Sequence, residues 1–211
     1  MSKTSLVWVV SDNRKLDLSI QEGVFHPTAT TFFLVDSAKE YIKTPGKLLD
    51  LGSGTGVVGI SLFLENLVLP PLYASDLSTS AIECISENCN KYDVPVEAKY
   101  GSLFEPWKEE KFDYIVDDIS GVAEEVAKIS PWFENIPCDS GKDGTLLTIE
   151  VIKQASEFLN RGGALFFPVI SFSNTEKVYE FASRKFSNVD LICREEWPLP
   201  KEMEEHLPVL R

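Results

Sequence analysis

The chain has 211 residues, 44% hydrophobic and 25% charged, the balance of a soluble globular protein with a core of its own. Its formal net charge is −13, and no cluster of Lys and Arg interrupts the acidic surface, which argues against nucleic acid as the main partner. No stretch approaches the roughly 20 apolar residues of a membrane span, the N-terminal apolar run is too short for a signal peptide, and Cys84, Cys89, Cys138 and Cys193 show no C-x-x-C pairing, so a cytoplasmic protein with reduced thiols and no metal site is expected.

Along the chain, "SLVWVV" and "KLDLSI" flank the turn "SDNRK" and predict an N-terminal hairpin. "TTFFLVDSAKEYI" reads as a helix ending near Pro45-Gly46. "KLLDLG", "LYASD", "VEAKYG", "FDYIVDD", "ALFFPVIS" and "VDLICREEW" read as strands. Between them "GVVGISLFLEN", "STSAIECISENCNKY", "TLLTIEVIKQASEFLN" and "TEKVYEFASRKF" read as helices, the third stopped by Arg161-Gly162-Gly163. The tail "WPLPKEMEEHLPVLR" reads as a loop leading to a last edge strand. This alternation predicts a doubly wound α/β fold with a mostly parallel sheet and helices on both faces. No repeat or linker divides the chain, so residues 1–211 are expected to form one domain, with residues 1–27 an N-terminal hairpin and a segment leading into the core.

The strongest local signal is "LLDLGSGTGVVGI", residues 48–60. A strand runs into Gly52, Gly54 and Gly56 and a helix follows; such glycines let the backbone turn sharply and let a ligand touch main-chain atoms. Gly54, Gly56 and Gly59 also satisfy the G-x-G-x-x-G dinucleotide fingerprint, and Asp76 ends the next strand in either case. In a dinucleotide site, however, the strand leads straight into the first fingerprint glycine, whereas here D-L-G-S precedes it.

"LLDLGSGTG" followed by "ASDLS" resembles the class I S-adenosylmethionine-dependent methyltransferases. The resemblance implies a seven-stranded, mostly parallel sheet and S-adenosylmethionine as cofactor. It places Gly52, Gly54 and Gly56 along the methionine and ribose, Asp50 near the amino group and Asp76 on both ribose hydroxyls; capping of the next helix is the other reading of Asp76. In "YGSLFEPW" it places Ser102 and Leu103 at the adenine, where the family often has an acid. "GVFHPTATT", residues 23–31, resembles the segment that closes over the cofactor and brings Thr31 to it; His26 in the same segment shows no partner in the sequence.

The fourth core strand, "KFDYIVDDISG", ends on two adjacent acids. It resembles the branch that methylates amide and amine nitrogens, including release factor glutamine methyltransferases, as does "SGKDGTLLTIEVIKQASEFLNRGGALFF". The likeness covers residues 23–169. In that branch the strand leads into Asn-Pro-Pro-Tyr or Asp-Pro-Pro-Tyr; here Asp118 stands at the Asn or Asp, and Ile119, Ser120 and Gly121 replace Pro-Pro-Tyr. The resemblance thus implies Asp118 as the catalytic group, with Asp117 beside it, toward a small-molecule or protein acceptor of the methyl group on nitrogen or oxygen; Trp132, in the long loop at residues 128–144, is a candidate to stack on that acceptor because long loops at a sheet's carboxyl end tend to shape the ligand site. A cap on the helix near Val122 is the other reading of the two acids, and core packing the other reading of Trp132. The departed motif leaves two further functions open, a catalytically silent cofactor-binding subunit supporting a partner and a nicotinamide-dependent oxidoreductase on the same general fold.

Overall fold

The run Leu48–Leu51 is buried at every position, which a strand covered on both faces permits. In the computed structural model, which describes residues 3–119, 121–130, 140–199 and 201–206, this run is the central strand of a parallel sheet. The strands are β1 (Lys3–Ser11), β2 (Arg14–Gln21), β3 (Leu48–Leu51), β4 (Leu72–Asp76), β5 (Val96–Tyr100), β6 (Phe112–Asp117) and β7 (Leu159–Phe166). The helices are α1 (Ala29–Tyr41), α2 (Val57–Leu64), α3 (Thr79–Lys91), α4 (Glu124–Ile129), α5 (Leu146–Phe158), α6 (Thr175–Lys185) and α7 (Lys201–Glu204). Five strands form one sheet in the order β5-β4-β3-β6-β7, every pairing parallel, and β1 and β2 form a separate antiparallel hairpin.

The expected seven strands are therefore divided between two sheets. Residues 189–197, read from sequence as a strand, make none: Leu191 is 78% exposed and Trp197 50%. A β-prone run becomes a strand only where a neighbouring ladder and a buried face receive it. Residues 201–204 are helical, where an edge strand was expected. The glycines at 162 and 163 also act differently from expectation. α5 already ends at Phe158, and the glycines lie inside β7, where the register against β6 jumps from Phe112↔Leu159 to Tyr114↔Ala164. A Cβ on Gly163 would stand 2.8 Å from the Asp113 carbonyl, so the bulge needs glycine for its close approach.

The chain divides into two compact units, one of Met1–Asp118 with Glu157–Pro168, the other of Ile119–Ser156 with Val169–Arg211. The first unit holds both sheets and the main core. α3 shows how its sequence builds that core: Ala81, Cys84, Ile85, Asn88 and Cys89 recur at helical spacing and are buried, while Ser78 caps the helix by accepting from the Ala81 N–H. In the second unit Val122, Val126 and Met203 form a smaller core with Ile170, Phe172 and Leu199 against it. There the "SGKDG" segment is held by Asp143, which accepts from the Thr145 hydroxyl at 2.8 Å and pairs with Lys177 at 2.7 Å.

In the first unit the chain runs outward from β3 to β4 and β5, then returns to β6 on the other side of β3. That reversal is a topological switch point, and the carboxyl ends of β3 and β6 beside it are the place where open α/β sheets receive ligands.

Candidate functional site

β3 leaves the sheet into the glycine turn. Gly52, Gly54 and Gly56 all have positive φ, 68°, 51° and 78°, a region that costs other residues strain. The turn is held to β4, since the N–H groups of Gly52 and Ser53 both donate to the Ser75 carbonyl. The glycines differ in what surrounds them. A Cβ on Gly56, the N-cap of α2, would stand 2.4 Å from Ile85 Cγ1, so this glycine makes room for α3. A Cβ on Gly54 would meet only Val24 Cγ1, at 4.0 Å, so its main chain borders open space.

Four carboxylates gather at this end of the sheet. Asp50, 1% exposed, accepts from the Gly59 N–H at 2.9 Å through Oδ2. Its Oδ1 is buried with no hydrogen-bond partner among the described residues. Burial pushes this carboxyl up to about 8 against the Gly59 hydrogen bond, with the charges of Asp118, Asp76 and Asp117 adding to the rise. Asp76 at the end of β4 accepts from the Gly54 N–H at 2.9 Å and the Ser78 N–H at 2.8 Å. Burial raises it also, opposed by its backbone hydrogen bonds. Ser78, and not Asp76, is the N-cap of α3; Asp76 braces the glycine turn through Oδ2 and the N-cap residue through Oδ1.

Asp117 ends β6 beside Leu51 and is 2% exposed. Asp118 follows it, half-buried, and its Oδ2 accepts from the Thr31 hydroxyl at 2.7 Å. Burial lifts Asp118 to about 6, and the Thr31 hydroxyl works against that rise. α4 begins from Ala123 with no side-chain cap of its own. Thr31, 1% exposed, lies in the first turn of α1, where its hydroxyl also accepts from the Thr28 N–H at 3.1 Å in a capping box.

Ser102 and Leu103 follow β5, both half-buried. Leu103 has a φ of 47°, rare for a side chain of its size, and its carbonyl accepts from the Ser75 hydroxyl. His26 is exposed. Trp132 and Cys138 lie outside the described residues.

Three residues here escaped the sequence reading. Ser53 lies in the turn with its hydroxyl buried and, like Asp50 Oδ1, unpartnered among the described residues. Val24 faces Gly54 from the chain after the hairpin. Asn88 of α3 is fully buried; its amide donates to the Thr55 and Ser19 carbonyls, each at 2.9 Å, and its oxygen accepts from the Ser19 N–H at 2.8 Å. It thereby ties the hairpin to the glycine turn. A polar residue at a core position of a helix was the available signal.

Two buried oxygens unpartnered among the described residues, an open backbone at Gly54 and a gathering of carboxyls suit a ligand that brings positive charge and hydrogen-bond donors. The amino group, sulfonium and ribose hydroxyls of S-adenosylmethionine meet that description.

Comparison with known proteins agrees with this fit. The family model described as the methyltransferase small domain matches residues 16–118. The release factor glutamine methyltransferase of Aquifex aeolicus (strain VF5) is 34% identical over 53% of this chain and 41% of its own length. The ribosomal protein L11 methyltransferase of Thermotoga petrophila is 30% identical over 64% of this chain and 48% of its own. The chain thus spans about half the length of the curated relatives it matches. Among solved structures, the 16S rRNA N2 G1207 methyltransferase of T. thermophilus in complex with AdoMet and guanosine superposes with a TM-score of 0.69, at 15% identity over 92% of this chain and 48% of that one, a likeness of fold.

Proposed function

We propose that this chain, whose residues 16–118 match the methyltransferase small domain family model, binds S-adenosylmethionine on its glycine turn and moves the methyl group to a nitrogen or oxygen of a protein side chain or small molecule. When bound, the cofactor supplies an electrophilic methyl group on a sulfonium. The chain's own residues then do the rest. Asp50 presents its unpartnered oxygen to the amino group, and Asp76 offers its remaining lone pairs to the ribose hydroxyls. Gly54 lets main chain approach where a Cβ would intrude.

The observation that carries the acceptor half is Asp118, a half-buried carboxylate past the end of β6, held by Thr31 and lifted to about 6. A carboxylate whose affinity for a proton approaches neutrality can take the proton a nucleophile loses as it is methylated. That favours an amine, guanidine or hydroxyl acceptor over a carboxamide, whose nitrogen needs only an oriented acceptor of hydrogen bonds. The relatives' names point to translation proteins as the first acceptors to try, a release factor and ribosomal protein L11.

The test follows label from methyl-labelled S-adenosylmethionine into purified release factor, ribosomal protein L11 and cell extract. Asp118→Asn keeps most of the acid's shape and cannot take a proton. It is expected to hold S-adenosylhomocysteine as the wild type does and to lose about 100-fold in turnover, the low end for a general base. Wild-type turnover by this variant would remove Asp118 from proton transfer. An Asp117→Asn variant that is dead beside an active Asp118 variant would move the site by one residue.

A further inference from the structure

The resemblance to a known family assigns Thr31 to the cofactor, yet the structure spends its hydroxyl elsewhere. The hydroxyl oxygen accepts from the Thr28 N–H, which closes the capping box of α1, and its single proton goes to Asp118 Oδ2 at 2.7 Å. The Thr28 hydroxyl in turn accepts from the Thr31 N–H and shares a 2.7 Å hydrogen bond with the Thr30 hydroxyl, so the first turn of α1 holds Thr31 from both sides. At 1% exposure Thr31 has no water with which to exchange these bonds. Its orientation is therefore set by the helix start, 87 residues away in sequence from the acid it grips.

We propose that Thr31 is a positioning residue for Asp118: its hydroxyl, oriented by the capping box of α1, fixes one carboxylate oxygen of Asp118 and so turns the other toward the methyl acceptor. The proposal rests on the reading of Asp118 as the acceptor-site acid. It has a chemical consequence of definite sign. The Thr31 hydroxyl donates its proton to Asp118 Oδ2, and a proton donor favours the ionised carboxylate over the acid. Burial pushes the opposite way, and the other titratable groups gathered at this end of the sheet are acids as well. Asp50 on β3, Asp76 on β4 and Asp117 on β6 are all carboxyls, and the first turn of α1 carries no acidic residue. Thr31 thus keeps Asp118 available as a base in a site that would otherwise protonate it. The value of about 6 for Asp118 already includes this help.

The test uses the whole chain and two variants. Thr31→Val keeps the shape and removes the hydroxyl; Thr31→Ser keeps the hydroxyl and loses a methyl group. The Asp118 carboxyl carbon, assigned by comparison with Asp118→Asn, is titrated by NMR on isotopically labelled protein without ligand. In Thr31→Val its midpoint is expected to rise by about one pH unit, tenfold in proton affinity, as fits loss of a hydrogen bond to a charged group. Thr31→Ser should titrate near the wild type. Calorimetry should give the same S-adenosylhomocysteine affinity for all three, while the rising limb of turnover against pH moves with the midpoint in Thr31→Val and returns in Thr31→Ser. An unchanged Asp118 midpoint in Thr31→Val would overturn the proposal. So would weaker S-adenosylhomocysteine binding at an unchanged midpoint, which would return Thr31 to the cofactor. If the midpoint rises but Asp118→Asn turns over as the wild type does, the grip is real and the acceptor role of Asp118 is what fails, which overturns the proposal at its second step.

Discussion

Asp50→Asn should make this protein more stable at neutral pH, although it removes a hydrogen-bonded residue from the centre of the fold. The wild-type carboxyl is lifted from its ordinary 3.8 to about 8, chiefly because burial disfavours its charge. The sign is opposite to that of a salt-bridged acid. The folded state holds a proton that the unfolded chain releases, so stability is greatest below pH 3.8 and falls as pH rises toward about 8. Each pH unit between those values costs about 1.4 kcal/mol, and at pH 7 the total is about 4 kcal/mol. Asparagine keeps a carbonyl oxygen for the Gly59 N–H and has no proton to take up. It therefore resembles the protonated wild type, and the two proteins should have similar stability near pH 4 and diverge above it, reaching about 4 kcal/mol in favour of the variant at pH 7. Urea unfolding followed across that range measures the difference directly. The other acids of the site titrate in both proteins, so their contributions largely cancel. With S-adenosylhomocysteine at saturation the order should reverse, because the ligand's ammonium gives the Asp50 charge its missing partner. Parallel stability profiles for the two proteins from pH 4 to 8 would refute the reasoning, since Asp50 would then be ionised in the folded state as it is in the unfolded.

Gly54→Ala and Gly56→Ala should separate binding from folding. Alanine at 54 meets open space and should cost about 1 kcal/mol for its positive φ while weakening S-adenosylhomocysteine binding at least tenfold by calorimetry; alanine at 56 would stand 2.4 Å from Ile85, and unfolding should show a loss of more than 2 kcal/mol. Asn88→Ala breaks three hydrogen bonds of a buried amide and strands their backbone partners, so a loss of about 3 kcal/mol is expected in urea unfolding, with faster amide exchange at Ser19 and around Thr55.

The local order of the elements was legible in the sequence because it follows from short-range rules. Alternating apolar positions make the hairpin, buried runs make the parallel strands, and Ser78 caps α3. The glycine turn was legible too, since three alternating glycines after a buried strand permit the positive φ that a tight turn uses. Elements that need a neighbour were less so. Residues 189–197 carry the residues of a strand but are exposed along much of their length, and Gly162 and Gly163 look like a helix stop until β6 supplies the register that makes them a bulge. The candidate acids were visible one by one, each at a strand end. Their meeting was not, because it depends on β6 returning beside β3 after β4 and β5 have gone the other way. Nor could the sequence show that Thr31 grips Asp118 or that Asn88 joins the hairpin to the glycine turn. Those contacts connect residues far apart in the chain, and a hydroxyl or amide reveals its partner only once packing has removed water as the alternative.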